Sequence, residues 1–164
     1  LHGARIDAGR GTLPGKFGQA PNALADDERA AQPDDRAFKR MRAAYWPSGG
    51  IARSGDLARL LEDLRCDDYT SLVRLVVSRR VFGFEWQHEF WVPMFQFELR
   101  DLSLKSRQLA VLDELVGIFD GWSLAAWFAD PNPWLADQRP VDLLDTELPA
   151  VLAAARADRF VATG

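Results

Sequence analysis

Cys66, His2 and His88 are the side chains best able to act as nucleophile, base or soft metal ligand, and they are few. Two histidines and one cysteine form no metal-ligand cluster at any usual spacing. Cys66 and His88 would make a nucleophile–base pair only if the fold joined a helix end to a hairpin tip. The plainer reading is an inert thiol and a turn histidine. Gly9-Arg10-Gly11 lacks the strand before it and the helix after it that a phosphate-binding loop requires. The paired carboxylates Asp67-Asp68 read as charges at a helix start. The expectation is a protein that is not an enzyme and carries no metal or cofactor. Its informative residues are then those suited to contact.

The densest group of such residues runs from Trp122 to Leu144, WSLAAWFADPNPWLADQRPVDLL. A short apolar helix meets Asp130-Pro131-Asn132-Pro133, which cannot continue it, because proline lacks the N–H and pushes the preceding residue out of the α region. Trp134 and Leu135 then pin the corner, and Pro140 suits the first turn of a new helix that presents Val141, Leu143 and Leu144. Trp134, between a proline and a leucine, is placed to be half covered, as anchors at interfaces often are. Trp86, Trp91, Trp122 and Trp127 sit in apolar surroundings and read as core.

Trp127, Pro131-Asn132, Leu135, Arg139-Pro140 and Leu143-Leu144, at this spacing, resemble the C-terminal toxin-binding domain of Xre/MbcA/ParS-type antitoxins. Where that family has glycine just before the arginine, this chain has Asp137-Gln138; glycine would permit positive φ there. The resemblance covers the last third of the chain, with a weaker echo in Pro93 to Phe97. It implies an antitoxin that clamps a cognate toxin, in that family commonly a RES-domain enzyme that degrades NAD, by steric occlusion. The implied clamp is Trp127, Pro131, Asn132, Leu135, Arg139, Pro140 and Leu143, with Arg139 and Asn132 as the direct polar contacts. Trp134 joins it as the corner aromatic. Arg159 and Phe160 join it because such antitoxins send their last residues toward the toxin's active-site mouth.

Composition fits a protein with a protein partner. The 164 residues suffice for one domain with tails, and 48% apolar with 27% charged residues is ordinary for a soluble protein. No apolar run approaches a membrane span, so no membrane association is expected. Residues 1–50 carry eight Lys/Arg against six Asp/Glu, while residues 101–164 carry five against ten, a net charge of −5. The acidic C-terminal part would repel DNA and attract a basic protein surface. The lone Cys66 suits a reducing cytoplasm. The chain begins at Leu1 without a signal-peptide pattern and without methionine, so further residues upstream are expected.

The elements that must position the corner are mainly helical. Residues 1–33, rich in Gly, Ala, Pro and Asp, are expected to be a disordered or loosely packed arm. Phe38, Met41 and Tyr45 predict a helix from Asp34 to Trp46, ended by Pro47-Ser48-Gly49-Gly50. Leu57, Leu60, Leu61 and Leu64 predict a second helix, N-capped by Ser54, and Leu72, Leu75 and Val76 a third over 68–80. A period of two then predicts a β-hairpin, Val81–Trp86 and Phe90–Phe97, with its second strand an edge or bulged at Pro93. Further helices follow over 106–119, with Leu109, Leu112, Val116 and Phe119 on one face, then 122–129, 140–145 and 147–158. Residues 34–100 thus outline a degenerate winged helix-turn-helix, and 101–164 a small helical domain of toxin-binding type. The would-be recognition helix offers Arg74, Arg79 and Arg80 but no Asn/Gln cluster for base edges. Operator DNA is therefore the secondary partner, a DNA-binding regulator or a non-enzymatic scaffold the alternative function, and a homo-oligomer compatible with both.

Overall fold

The computed structural model describes residues 33–64 and 71–164. Cys66, Asp67 and Asp68 and the expected arm up to Gln32 lie outside the described residues. Helix α1 spans Asp35–Tyr45 because Asp34 accepts the Ala37 N–H at 2.7 Å and so satisfies a first-turn donor. Its inward stripe is Phe38, Met41 and Tyr45. A 3-10 turn, Trp46–Ser48, leads into Gly49 and Gly50, both at positive φ. The buried Tyr45 hydroxyl donates to the Ala125 carbonyl at 2.6 Å, and burial holds its pKa well above the usual phenol range.

Strand β1, Ile51–Arg53, comes next and the sequence reading missed it. Three residues are too few to display an alternation. Helix α2, Ser54–Leu64, begins with Ser54 as a helical residue and buries Leu57 and Leu61, while Leu60 and Leu64 stay exposed. Helix α3, Leu72–Val77, is capped by Ser71, which accepts the Arg74 N–H at 3.2 Å. It stops three residues short of the expected Arg80. Arg79 adopts φ 58° and donates to the Val76 carbonyl, while Arg80 donates to Leu75. This is the double closure that usually has glycine at the left-handed position; with arginine there, no sequence signal announces it.

Strands β2, Phe84–Trp86, and β3, Glu89–Pro93, pair through Phe84↔Trp91 and Trp86↔Glu89. The two-residue turn between them puts Gln87 and His88 at φ 49° and 63°, which matches the twist of a tight hairpin. The hairpin is thus shorter than predicted, and β1 converts it into a three-stranded antiparallel sheet of order β1-β3-β2. Strand β3, expected to be an edge or bulged at Pro93, is the central strand. Pro93 is tolerated because it closes the strand, opposite Ile51 and beyond the pairing with β2, which ends at Trp91.

After a 3-10 turn at Met94–Gln96 come α4, Arg107–Leu115, α5, Gly121–Ala129, and a second 3-10 turn, Pro133–Leu135. Short α6, Pro140–Leu143, and long α7, Leu148–Thr163, complete the order. Helix α4 ends before Val116 because Gly117 sits at φ 94°. Its buried face is Gln108, Val111, Leu112 and Leu115, in place of the stripe read through Leu109, Val116 and Phe119. Asp120 accepts the Ser123 N–H at 2.7 Å and caps α5. A Cβ on Gly121 would run into the Gly83 carbonyl, so glycine lets α5 settle directly on the start of β2. Helix α7 runs on through the segment read as a tail.

The described chain is mainly helical with this small sheet. Phe38, Tyr45, Phe84 and Phe95 share one hydrophobic cluster with Leu112, Phe128, Leu135, Val151 and Ala155, so residues before and after 100 are packed into a common core. Burying a large apolar side chain there stabilises by roughly 1.5–3 kcal/mol. A second cluster joins α2 and α3 to the sheet through Leu57, Leu61, Leu75 and Val92. Buried Gln96 is fully occupied: its Oε1 accepts the Phe82 N–H, and its Nε2 donates to the carbonyls of Phe82 and Pro93. No helix of the described residues is long and apolar enough to cross a membrane.

Candidate partner-binding corner

The corner between α5 and α6 closes on itself through Asn132. Its Oδ1 accepts the Trp134 N–H at 2.9 Å, and its backbone N–H donates to the Gln138 carbonyl at 3.0 Å. The Asn132 carbonyl accepts from both Leu135 and Asp137. To make this loop, Ala136 and Asp137 take φ 53° and 60° in succession. Left-handed geometry, which glycine adopts most readily, is held here by an alanine and an aspartate.

Asp158, on α7, fastens the corner to the body. Its Oδ2 accepts Trp127 Nε1 at 2.7 Å and Asn132 Nδ2 at 3.0 Å, and its Oδ1 accepts Trp134 Nε1 at 2.8 Å. Three donors from α5, the corner and the second 3-10 turn thus converge on one carboxylate. Charge-assisted bonds of this kind are about twice as strong as neutral ones. Trp127 also stands edge-on to Phe128, with centroids 5.0 Å apart.

Each residue singled out in the sequence has a definite place. Trp127, Asn132 and Trp134 come together on Asp158, with Asn132 buried and Trp134 58% exposed. Leu135 and Pro140 are buried, Leu143 packs partly against the core, and Pro131 is exposed. Arg139 binds both carboxylate oxygens of Asp142, at 2.7 and 3.0 Å, and donates to the Ala44 carbonyl at 3.0 Å. It thereby ties the start of α6 to the C-terminal end of α1, where unpaired carbonyls favour a cation. Arg159 is held by Glu114 on α4 at 2.7 Å, beside Arg156 at 2.8 Å. Phe160 is 76% exposed and Val161 69%.

The sequence reading missed Asp158. A signal was present: an aspartate near a helix C-terminus opposes the helix dipole. It also continues the buried stripe Val151–Ala155, so it required another partner. Trp134 and Val161 are exposed, Asp130 and Asp137 stand on the corner itself, and Arg156 and Arg159 on α7 are turned to Glu114. Such an arrangement can contact and orient; among the described residues no group of three His, Cys, Asp or Glu is placed to hold a metal ion. Comparison with family models, curated proteins and solved structures finds no match.

Proposed function

We propose that the chain is an antitoxin-like protein that binds a cognate toxin through its C-terminal helical segment and neutralises it by steric occlusion. The observation that carries this reading is the convergence of Trp127, Asn132 and Trp134 on Asp158. It fixes the corner while leaving the Trp134 ring outward, and a rigid, half-exposed aromatic loses little entropy on binding. Phe160 and Val161 are further exposed apolar side chains on α7. The net charge of −5 over residues 101–164 favours a basic partner surface. This chain does no chemistry in the mechanism; it covers the entrance of an enzyme, in the resembled family a RES-domain enzyme that degrades NAD. The test is co-expression with the product of the neighbouring reading frame. That product alone should arrest growth and deplete NAD, and this chain should relieve both. Unrelieved arrest, or a neighbour that is harmless, would sink the reading.

The order α1-β1-α2-α3-β2-β3, with sheet order β1-β3-β2, favours a winged helix-turn-helix for the first part. We read it as a platform. On α3, Val73 and Val77 are 70% and 76% exposed, and apolar side chains there suit a protein contact better than a phosphate backbone. Were it a working DNA reader, promoter binding would fall steeply with salt and depend on Arg74, Arg79 and Arg80.

A further inference from the structure

A recess of about 330 Å³ opens on the far side of α6, between the turn after α1, the segment leaving β3 and the start of α4. Its size lies at the lower end of ligand sites, roughly 300–1,000 Å³. Phe95, Phe97 and Leu144 give it apolar walls, and Lys105, Arg107 and Gln108 form one side.

Two cations and two carboxylates line it, Lys105 and Arg107 against Asp142 and Asp145. Asp142 lines the recess, but both its oxygens are taken by Arg139, which lies outside the lining. Asp145 is left to face two cations. Arg107 spends a guanidinium N–H on the Asp145 carbonyl. Lys105 Nζ stands 3.7 Å from Asp145 Oδ2, beyond hydrogen-bond reach, with its side chain only 25% exposed. It is thus ion-paired with Asp145, yet none of its three N–H groups makes a hydrogen bond among the described residues, which leaves them for a further acceptor.

Gln108 adds a second requirement. It is 1% exposed, and its Nε2 donates to the Gln96 carbonyl at 3.1 Å. Gln108 lines the recess, and its Oε1 accepts no hydrogen bond among the described residues. A ligand that completes the site therefore brings an anion for Lys105, an N–H or O–H for Gln108 and an apolar body for Phe95 and Phe97. An N-acylated apolar α-amino acid carries all three within one residue: its carboxylate, its amide N–H and its side chain.

We infer that this recess binds an N-acylated apolar amino acid through its carboxylate, either as a free small molecule or as the C-terminal residue of another chain. The two sources share the same chemistry and differ in what precedes the amide.

The full chain is titrated calorimetrically with N-acetyl-leucine, with acetyl-Ala-Ala-Leu bearing a free carboxylate, and with the same tripeptide as its C-terminal amide. The acids bind, and the amide is weaker by at least about tenfold, the loss of one charge-assisted contact. Lys105→Met and Lys105→Gln each reduce acid binding to the level of the amide, keep the wild-type Tm and leave amide binding unchanged; Lys105→Arg restores most of the affinity. Equal affinity for both acids identifies a free small molecule, and tighter binding of the tripeptide a chain end. Equal binding of acid and amide, indifference to Lys105→Met, or no heat from any probe up to about 10 mM overturns the inference.

Discussion

Trp134 donates its indole N–H to Asp158 at 2.8 Å, yet more than half of the tryptophan remains open to solvent. The polar atom of the ring is consumed inside the molecule, so what the surface offers is a fixed aromatic face. Corner and last helix are one unit through this contact. Removal of Asp158 should therefore be costly for stability even though the residue lies near the chain end. Asp158→Ala leaves the donors of Trp127 and Asn132 unpaired and should cost about 2–4 kcal/mol. Urea unfolding measures it; a loss below about 0.5 kcal/mol, the range of ordinary surface changes, would mean the three bonds are incidental.

Ala136 and Asp137 both occupy the left-handed region. An L-residue pays about 1–2 kcal/mol there, of which glycine recovers part after its own larger loss of chain entropy. Ala136→Gly should stabilise the protein by about 0.5–1 kcal/mol, seen as a higher Tm. A lower Tm would show that the corner is not strained.

Much of the helical content was legible because period and caps agree. Phe38, Met41 and Tyr45 behind Asp34, and the helix expected over 122–129, are found in α1 and α5. The errors lie where backbone geometry departs from its usual residue. Arg79 ends α3 in a position glycine normally marks, and Gln87-His88 turn the hairpin without glycine. The corner was legible as a group of residues, but its fastening was not, since Asp158 is distant in sequence and only tertiary packing brings it to Trp127. Likewise Arg139 reads in the sequence as a direct polar contact to a partner, whereas the α1 carbonyl it holds is 95 residues away.

Arg139 should behave as a brace between α1 and α6. Arg139→Lys keeps the charge but cannot hold Asp142 with two nitrogens while reaching Ala44. With the Asp142 pair partly exposed and screened, the loss should be about 1 kcal/mol, mainly from the Ala44 bond. Thermal unfolding of Arg139→Lys beside Arg139→Ala checks it. If neither variant unfolds earlier than wild type, the guanidinium is not a brace.

Glu114 accepts from Arg156 and faces Arg159, and the hydrogen bond to Arg156 holds its carboxyl below the usual range. A carboxyl pKa depressed by folding contributes stability above its unfolded value, about 4.3, that is lost as pH falls through the lower folded value. Wild type should exceed Glu114→Gln in stability at neutral pH, and the gap should close on acidification below that range. A gap that stays constant down to the acid limit would assign the effect to packing.

On the proposed function, the Asp158-held corner presents Trp134 to a protein partner. The most direct measurement is the affinity of the neighbouring reading frame's product for wild type and for Trp134→Ala, with the Tm of each recorded. A half-exposed anchor should cost at least about 2 kcal/mol of binding when truncated, some thirtyfold in Kd. The fold should survive, because Asp158 retains Trp127 and Asn132. A tight wild-type complex weakened to that extent by a folded Trp134→Ala is the predicted result. An unchanged Kd in the variant would contradict the account.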